Sequence, residues 1–344
     1  MKQLSIFLVV QLICSISCFS QVDYKQAYDV ALHEYTSFEE QHGHFFQTKN
    51  VNLHYYTWGK KTGKPLVWLH GTNSNGTEIL DFVDTLVSNG YYVIAVDYYG
   101  HGLTPIPEKE VSIYHVADDV NALLHQLKIK QVIIGGWSRG GMIASAFYET
   151  YPEKVKGIIL EDGGGASFLQ PRQQLDEELL KKRYEQMYSA SEDTTFSSQF
   201  EAFQFYYDPN FADSQFWWLA LIRQSKKGGW CLNPDLKEWL GQTTAEDGLR
   251  NIYKTMTAPL FEASSLLFVP KIAYRNLTVP VLILDPQGDD KDGFFALSDQ
   301  YEELQKMHPG YVTLLHYPDT GHAVHYEQPE RFKTDILHFL QKIH

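Results

Sequence analysis

Ser138 stands in the stretch GGWSRGGM, with Gly136 two residues before it and Gly140 two residues after. A serine hydroxyl is a weak nucleophile at neutral pH until a neighbouring base takes its proton. The spacing G-x-S-x-G suits a sharp turn between a strand and a helix, because bulk at either glycine would hold the two elements apart. Such a turn projects Oγ outward. The N–H of the next residue, Arg139, then sits at a helix start and faces the place where negative charge develops. The plainer alternative is a glycine-rich bend that happens to hold a serine.

A nucleophile needs a base, an acid to orient it and a second anion donor. The chain has 14 histidines, so position must choose among them. His322, in DTGHAVHYEQPERF, falls in the loop after the apolar run from Tyr311 to Tyr317. Loops at the carboxyl ends of parallel strands are where sites collect in open α/β sheets, and imidazole is the natural proton carrier near neutrality. His325 is the nearest rival but falls at the start of the last helix; His70, His101 and His316 read as structural. The acid is expected after VLIL, in Asp285-Pro286-Gln287-Gly288-Asp289-Asp290-Lys291-Asp292. Asp289 is preferred, followed by Asp290, Asp285 and Asp292; Asp162, after GIIL, is an alternative on a different strand. The second donor is the backbone N–H of Thr72 in the loop after PLVWLHG, with Asn73 as the fallback.

The elements that must position these residues are legible in the hydrophobic pattern. HFFQT and LHYYTW read as two strands joined at Lys49-Asn50; PLVWLHG, YYVIAVD, QVIIG, VKGIILED, VPVLILD and YVTLLHY read as further strands. Helical spacing runs over Ile79 to Ser88, over Val116 to Leu127 with Val116, Val120, Leu123, Leu124 and Leu127 on one face, and over Met142 to Tyr151. Later helices are expected near Ser298 to Met307 and from Pro329 to Ile343. Alternating short apolar strands and helices predict a largely parallel sheet covered on both faces. The alternation breaks over 166–270, where charged helical stretches mix with many aromatics. That segment reads as an inserted, mainly helical cap between core segments 21–165 and 271–344.

With these features in order, the chain resembles the α/β-hydrolase fold family, in its cap-bearing serine hydrolase branch. The resemblance rests on His70-Gly71, the DYYGHGLT segment from Asp97 to Thr104, the elbow at Ser138 and the Gly321-His322 loop. It covers roughly Phe45 to the C-terminus apart from the cap. It implies an eight-stranded, mostly parallel sheet, a helical lid and a Ser-Asp-His order along the chain. Many relatives carry Gly in the acid loop where Pro286 stands here. Relatives with an aspartate nucleophile are disfavoured by Ser138.

Composition agrees with that reading. The chain has 344 residues, 44% hydrophobic and 14% aromatic, and a net charge of −13, which argues against a nucleic-acid partner. The segment 1–20 has the form of a signal peptide: Lys2, an apolar stretch from Leu4 to Ile16, then small residues. It is too short to span a bilayer comfortably, and a lipid anchor on Cys18 is the alternative. Cys231 is then the one cysteine of the mature chain, which rules out an internal disulfide. Asparagine triplets for glycosylation occur at Asn75 and Asn276. No P-loop, dinucleotide fingerprint or metal motif is found, so no cofactor or metal is expected. The expected protein is an exported, periplasmic or secreted, serine hydrolase acting on a small, partly apolar ester. A non-catalytic ligand-binding protein on the same fold, or a triad enzyme cleaving lactones, amides or carbon–carbon bonds, stays open, and the sequence leaves the oligomeric state undetermined.

Overall fold

The computed structural model describes residues 22–188, 194–211, 213–288 and 293–343. The signal segment, the anchor candidate Cys18 and the acid candidates Asp289, Asp290 and Asp292 lie outside these residues. The chain opens with helix α1 (Tyr24–His42), then strands β1 (Gly43–Gln47), β2 (Asn52–Trp58) and β3 (Lys64–Leu69), helix α2 (Leu80–Ser88) and β4 (Tyr91–Val96). Helix α3 (Ile113–Gln126), β5 (Val132–Trp137), α4 (Arg139–Thr150) and β6 (Val155–Glu161) complete the first half.

A long segment separates β6 from the next sheet strand. It holds α5 (Leu169–Gln174), α6 (Glu177–Met187), α7 (Gln199–Tyr206), α8 (Trp217–Leu221), a hairpin of β7 (Ile222–Gln224) and β8 (Trp230–Leu232), then α9 (Leu236–Leu240), α10 (Ala245–Tyr253), α11 (Leu260–Leu266) and α12 (Pro270–Ala273). The sheet resumes with β9 (Val281–Pro286), followed by α13 (Ser298–Met307), β10 (Val312–Tyr317), α14 (Val324–Glu327) and α15 (Pro329–Leu340).

The sheet has eight strands in the order β1-β2-β4-β3-β5-β6-β9-β10. β2 runs antiparallel to both neighbours, and every pair from β4 to β10 is parallel. The predicted strands and the sheet-flanking helices all form. The inner parallel strands are mostly apolar because both faces are covered; β4 is buried at every position, while β10 at the sheet edge is partly exposed. Val67, Ile94 and Ile134 face a core shared with α3 and α4, while Leu66, Trp68 and Ile133 face one shared with α2 and α15. Register brings Leu69 beside Gly136, Trp137 beside Glu161, and Glu161 beside Leu284. The carboxyl ends of β3, β5, β6 and β9 therefore finish on one edge, and their loops lie side by side.

Two features go beyond the sequence pattern. The inserted segment carries the β7–β8 hairpin among its helices, turned at Gly228 and Gly229 with φ of 92° and 79°. Helix α1 ties this segment to the sheet. Its Tyr28 ring meets Phe200 and Phe203 of α7 at 5.4 and 5.6 Å. Its Glu39 takes a hydrogen bond from the Tyr56 hydroxyl at 2.5 Å and lies 3.2 Å from His54 Nε2.

His54 Nδ1 lies 2.7 Å from Asp97 Oδ2, and both side chains are fully buried. Burial lowers the imidazole pKa, but Asp97 and then Glu39 outweigh it and raise the value from 6.5 to about 9. A raised value means that folding holds the proton more tightly than the unfolded chain does. The contribution to stability is full below pH 6.5 and is lost as pH climbs through about 9. The thermal unfolding midpoint of the protein is expected to fall between pH 7 and 10 (about three pH units, bracketing the shifted value). His54→Gln should start lower and show a flatter profile; parallel profiles for the two proteins would contradict the assignment.

Candidate active site

The elbow forms at the end of β5. Ser138 has φ 54° and ψ −120°, a left-handed conformation costly for a residue with a side chain, and α4 begins at the next residue. Two glycines permit it. A Cβ on Gly136 would lie 2.5 Å from the Gly140 backbone and from the Leu69 carbonyl, and one on Gly140 would lie 1.9 Å from that same Leu69 oxygen. The Ser138 N–H is fixed by the Glu161 carbonyl at 2.8 Å.

His322 lies in the loop after β10 and lines the same cavity as Ser138. Its Nδ1 is 2.5 Å from Oδ2 of Asp162, whose side chain is 2% exposed. With the proton on Nδ1 the donor is imidazole, which leaves Nε2 as the basic nitrogen. Asp162 follows β6 directly, at φ 40°. Its N–H donates to the Leu284 carbonyl at 3.1 Å, and its Oδ1 accepts from the Tyr301 hydroxyl at 3.2 Å. Burial raises the Asp162 carboxyl above the ordinary aspartate value, opposed by the charge and hydrogen bond of His322 and by the Tyr301 bond. Phe295 stacks on the His322 ring at 4.7 Å and 25°.

The carboxylate that meets His322 among the described residues is thus Asp162, the alternative from a different strand. Asp285 is corrected. It closes β9 but turns to His316 Nδ1 at 2.7 Å and to the Ser298 hydroxyl at 3.0 Å. The reason is register, since Asp285 pairs in the sheet with His316 on β10. Asp289 and Asp290 fall in the undescribed part of the loop.

Thr72 and Arg139 line the cavity side by side, joined by a hydrogen bond. As the first residue of α4, Arg139 has no intrahelical acceptor for its N–H, and among the described residues no loop hydrogen bond uses the Thr72 N–H. The Arg139 side chain reaches the Thr72 hydroxyl from Nε at 2.9 Å and Glu262 of α11 from Nη2 at 2.6 Å. Trp137 Nε1 donates to the His322 carbonyl at 2.7 Å, which fastens the elbow to the histidine loop.

One supporting residue, Glu78, escaped sequence reasoning. Glu78 accepts from Gly71 N–H and from Trp68 Nε1, each at 2.9 Å, and so braces the Thr72 loop. Burial raises its pKa to about 7. Its only sequence signal was a carboxylate just ahead of an apolar helix. His325 is buried on Glu161, with Nδ1 2.7 Å from Oε1. His70 bonds the Gly71 carbonyl through Nδ1 at 2.7 Å and stacks on Tyr98, and burial lowers its pKa to about 4. It stays neutral, in keeping with a bracing role. Asn75 is buried and caps its turn through Thr77, whereas Asn276 is exposed.

Trp137, Thr72 and Asn73 separate two cavities. One, of about 180 Å³, lies over Ser138 and His322 beneath α5, α6 and α11. The other, of about 780 Å³, is lined by Leu80, Phe216, Trp217, Trp218, Leu221 and Tyr326, among others. Among the described residues no cluster of potential metal ligands occurs, and no helix is long and apolar enough to cross a membrane.

Comparison with known proteins agrees with this architecture. A sequence model described as the alpha/beta hydrolase fold matches residues 64–329, and the chain belongs to that family. The chain is 26% identical over 290 residues to a Bacillus subtilis (strain 168) protein provisionally named 2-succinyl-6-hydroxy-2,4-cyclohexadiene-1-carboxylate synthase, covering 83% of this chain and 93% of that one. Among solved structures it is similar to a carboxylesterase of the thaumarchaeon Nitrososphaera gargenis, with TM-score 0.58, 20% identity and coverage of 87% and 98%. It is also similar to a Bacillus subtilis carboxylesterase, with TM-score 0.55, 17% identity and coverage of 92% and 96%. These structures share the fold.

The packing at the elbow gives a direct test. Gly140→Ala should cost about 2 kcal/mol or more in denaturant unfolding, because its methyl meets backbone that cannot turn aside. Gly310→Ala, where a Cβ meets nothing within 4 Å, should lie within about 0.5 kcal/mol of the parent. Equal stability of the two variants would refute the close approach.

Proposed function

We propose that the protein is an exported serine hydrolase that cleaves a carboxylic ester, or a related acyl bond, of a small, partly apolar substrate. The observation that carries this reading is the buried Asp162 carboxylate on His322 Nδ1, with His322 Nε2 left basic in the cavity that holds Ser138. His322 takes the Ser138 proton as Oγ bonds to the ester carbonyl carbon. The N–H groups of Arg139 and Thr72 hold the oxyanion. Its collapse breaks the bond to the alcohol oxygen, which leaves with the proton from His322 as the acyl-enzyme forms. Water then gives a proton to His322 as it attacks the acyl carbon, and collapse breaks the bond to Ser138 Oγ, which takes that proton back from His322 as the acid leaves. Asp162 keeps the imidazole tautomer and steadies the imidazolium. The aromatic cavity beyond Trp137 supports an apolar group on the substrate.

On a panel of activated esters, lactones and amides, Ser138→Ala should lower kcat by several orders of magnitude without changing the far-UV spectrum. A fluorophosphonate should label Ser138 in the parent. Asp162→Asn should lower kcat by about 10²–10⁴, whereas Asp285→Asn should lose less than about tenfold. Retained activity in Ser138→Ala sinks the mechanism. A full loss in Asp289→Asn with little change in Asp162→Asn returns the acid to the β9 loop.

Export over the segment 1–20 makes a separate prediction. Mass spectrometry of the protein from its secreting host should find a mature N-terminus at Gln21. A diacylated Cys18 would establish the anchored form instead, and an intact Met1 would overturn export.

A further inference from the structure

We infer that the site selects substrates bearing a carboxylate, which Arg172 binds in the cavity over Ser138. This deepens the acyl-hydrolase reading and rests on it for the reaction, though not for the binding. Arg172, in α5, is 9% exposed and lines the same cavity as Ser138 and His322. Among the described residues no carboxylate pairs with it, and its buried Nε has no partner. Its guanidinium lies instead among aromatic rings, 4.1 Å from the Phe294 centroid, 5.3 Å from Phe168 and 5.6 Å from Phe295.

A cation at this depth with no carboxylate partner loses hydration that ring faces and the Tyr184 hydrogen bond offset only in part. An anionic ligand would restore the balance, and the guanidinium fork suits a carboxylate. The surroundings fit. Burial raises the Tyr184 phenol above its ordinary value despite the charge and hydrogen bond of Arg172 beside it, so the phenol keeps its proton and can donate it to a ligand on Arg172. Arg139 contributes a second buried nitrogen, Nη1, without a partner, while its Nη2 is taken by Glu262. Glu262 is the only carboxylate among the described residues that line this cavity, and it is already neutralised by Arg139.

Position links the anion site to the chemistry. The Phe295 ring touches both the Arg172 guanidinium and the His322 imidazole. A carboxylate on Arg172 would therefore lie on the far side of Phe295 from His322, in the cavity that Ser138 also lines. A cavity of about 180 Å³ suits a short-chain diacid esterified at one end, with the free acid on Arg172 and the ester carbonyl at Ser138. The alcohol then points past Trp137 toward the aromatic cavity.

The test compares p-nitrophenyl hemiglutarate with its neutral isostere, p-nitrophenyl valerate. The parent should favour the anionic ester in kcat/KM. Arg172→Gln should lower the anionic-to-neutral ratio by about 10–100-fold, the range for a charge-assisted bond, and Arg172→Lys should restore part of it. An unchanged ratio, or a parent that favours the neutral ester, overturns the proposal. Binding is read separately in Ser138→Ala, which needs no turnover. Glutarate should raise its thermal midpoint, and Ser138→Ala/Arg172→Gln should lose that response. Inorganic phosphate forms the comparison arm: a larger response to phosphate than to glutarate would replace the carboxylate with a phosphate ester. Glutarate binding without hydrolysis of either ester would leave the anion site standing and refute the hydrolase reading.

Discussion

The site depends on one close approach of backbone to backbone. Helix α4 enters so near to β3 that the Gly140 Cα has no room for a methyl beside the Leu69 carbonyl. That approach forces Ser138 into a left-handed conformation and lifts it out of the regular path of β5 into α4. The strain is local and is over-determined by its surroundings. The parallel ladder on both sides of β5 fixes the strand, and the Glu161 carbonyl holds the Ser138 N–H. Relaxing the serine would mean moving α4 away from the sheet, and the buried apolar face between them opposes that.

Around this elbow the side chains act as cross-ties between segments far apart in sequence. Trp137 reaches the histidine loop, Arg139 reaches both the Thr72 loop and α11, and Glu78 reaches the backbone of Gly71. The ties from Arg139 to Glu262 and from Gly71 to Glu78 are buried, where loss of one partner leaves a polar group unsatisfied. The inserted segment is therefore coupled to the Ser138 turn through Arg139 and Glu262 as well as through apolar contact. Helix α1 adds a second attachment, since Glu39 meets His54 while Tyr28 packs on α7.

Much of this was legible in the sequence. Short, mostly apolar strands, helices with one apolar face and glycines two residues either side of Ser138 identified the sheet, its covering layers and the elbow. His322 was legible because it follows the last strand. Helix α1 was not, because its polarity gives only a weak apolar face and its partners lie in the inserted segment. The β7–β8 hairpin was hidden for a related reason: its strands are three residues each, too short for a period to register.

The acid marks the division most sharply. Sequence alone determined that a carboxylate must follow one of the strands near the histidine loop, and it offered several. Only the tertiary structure showed which histidine Asp285 and Asp162 each meet. β6 and β9 are neighbours with Glu161 level with Leu284, so both strand ends come close to the last loop. Register then gives Asp285 to His316, and the left-handed turn at Asp162 delivers its carboxylate to His322. A one-dimensional pattern carries residue type and spacing, which are enough to specify elements. Which side chain meets which depends on register and backbone turns at the strand ends, and those are fixed only when the sheet is assembled.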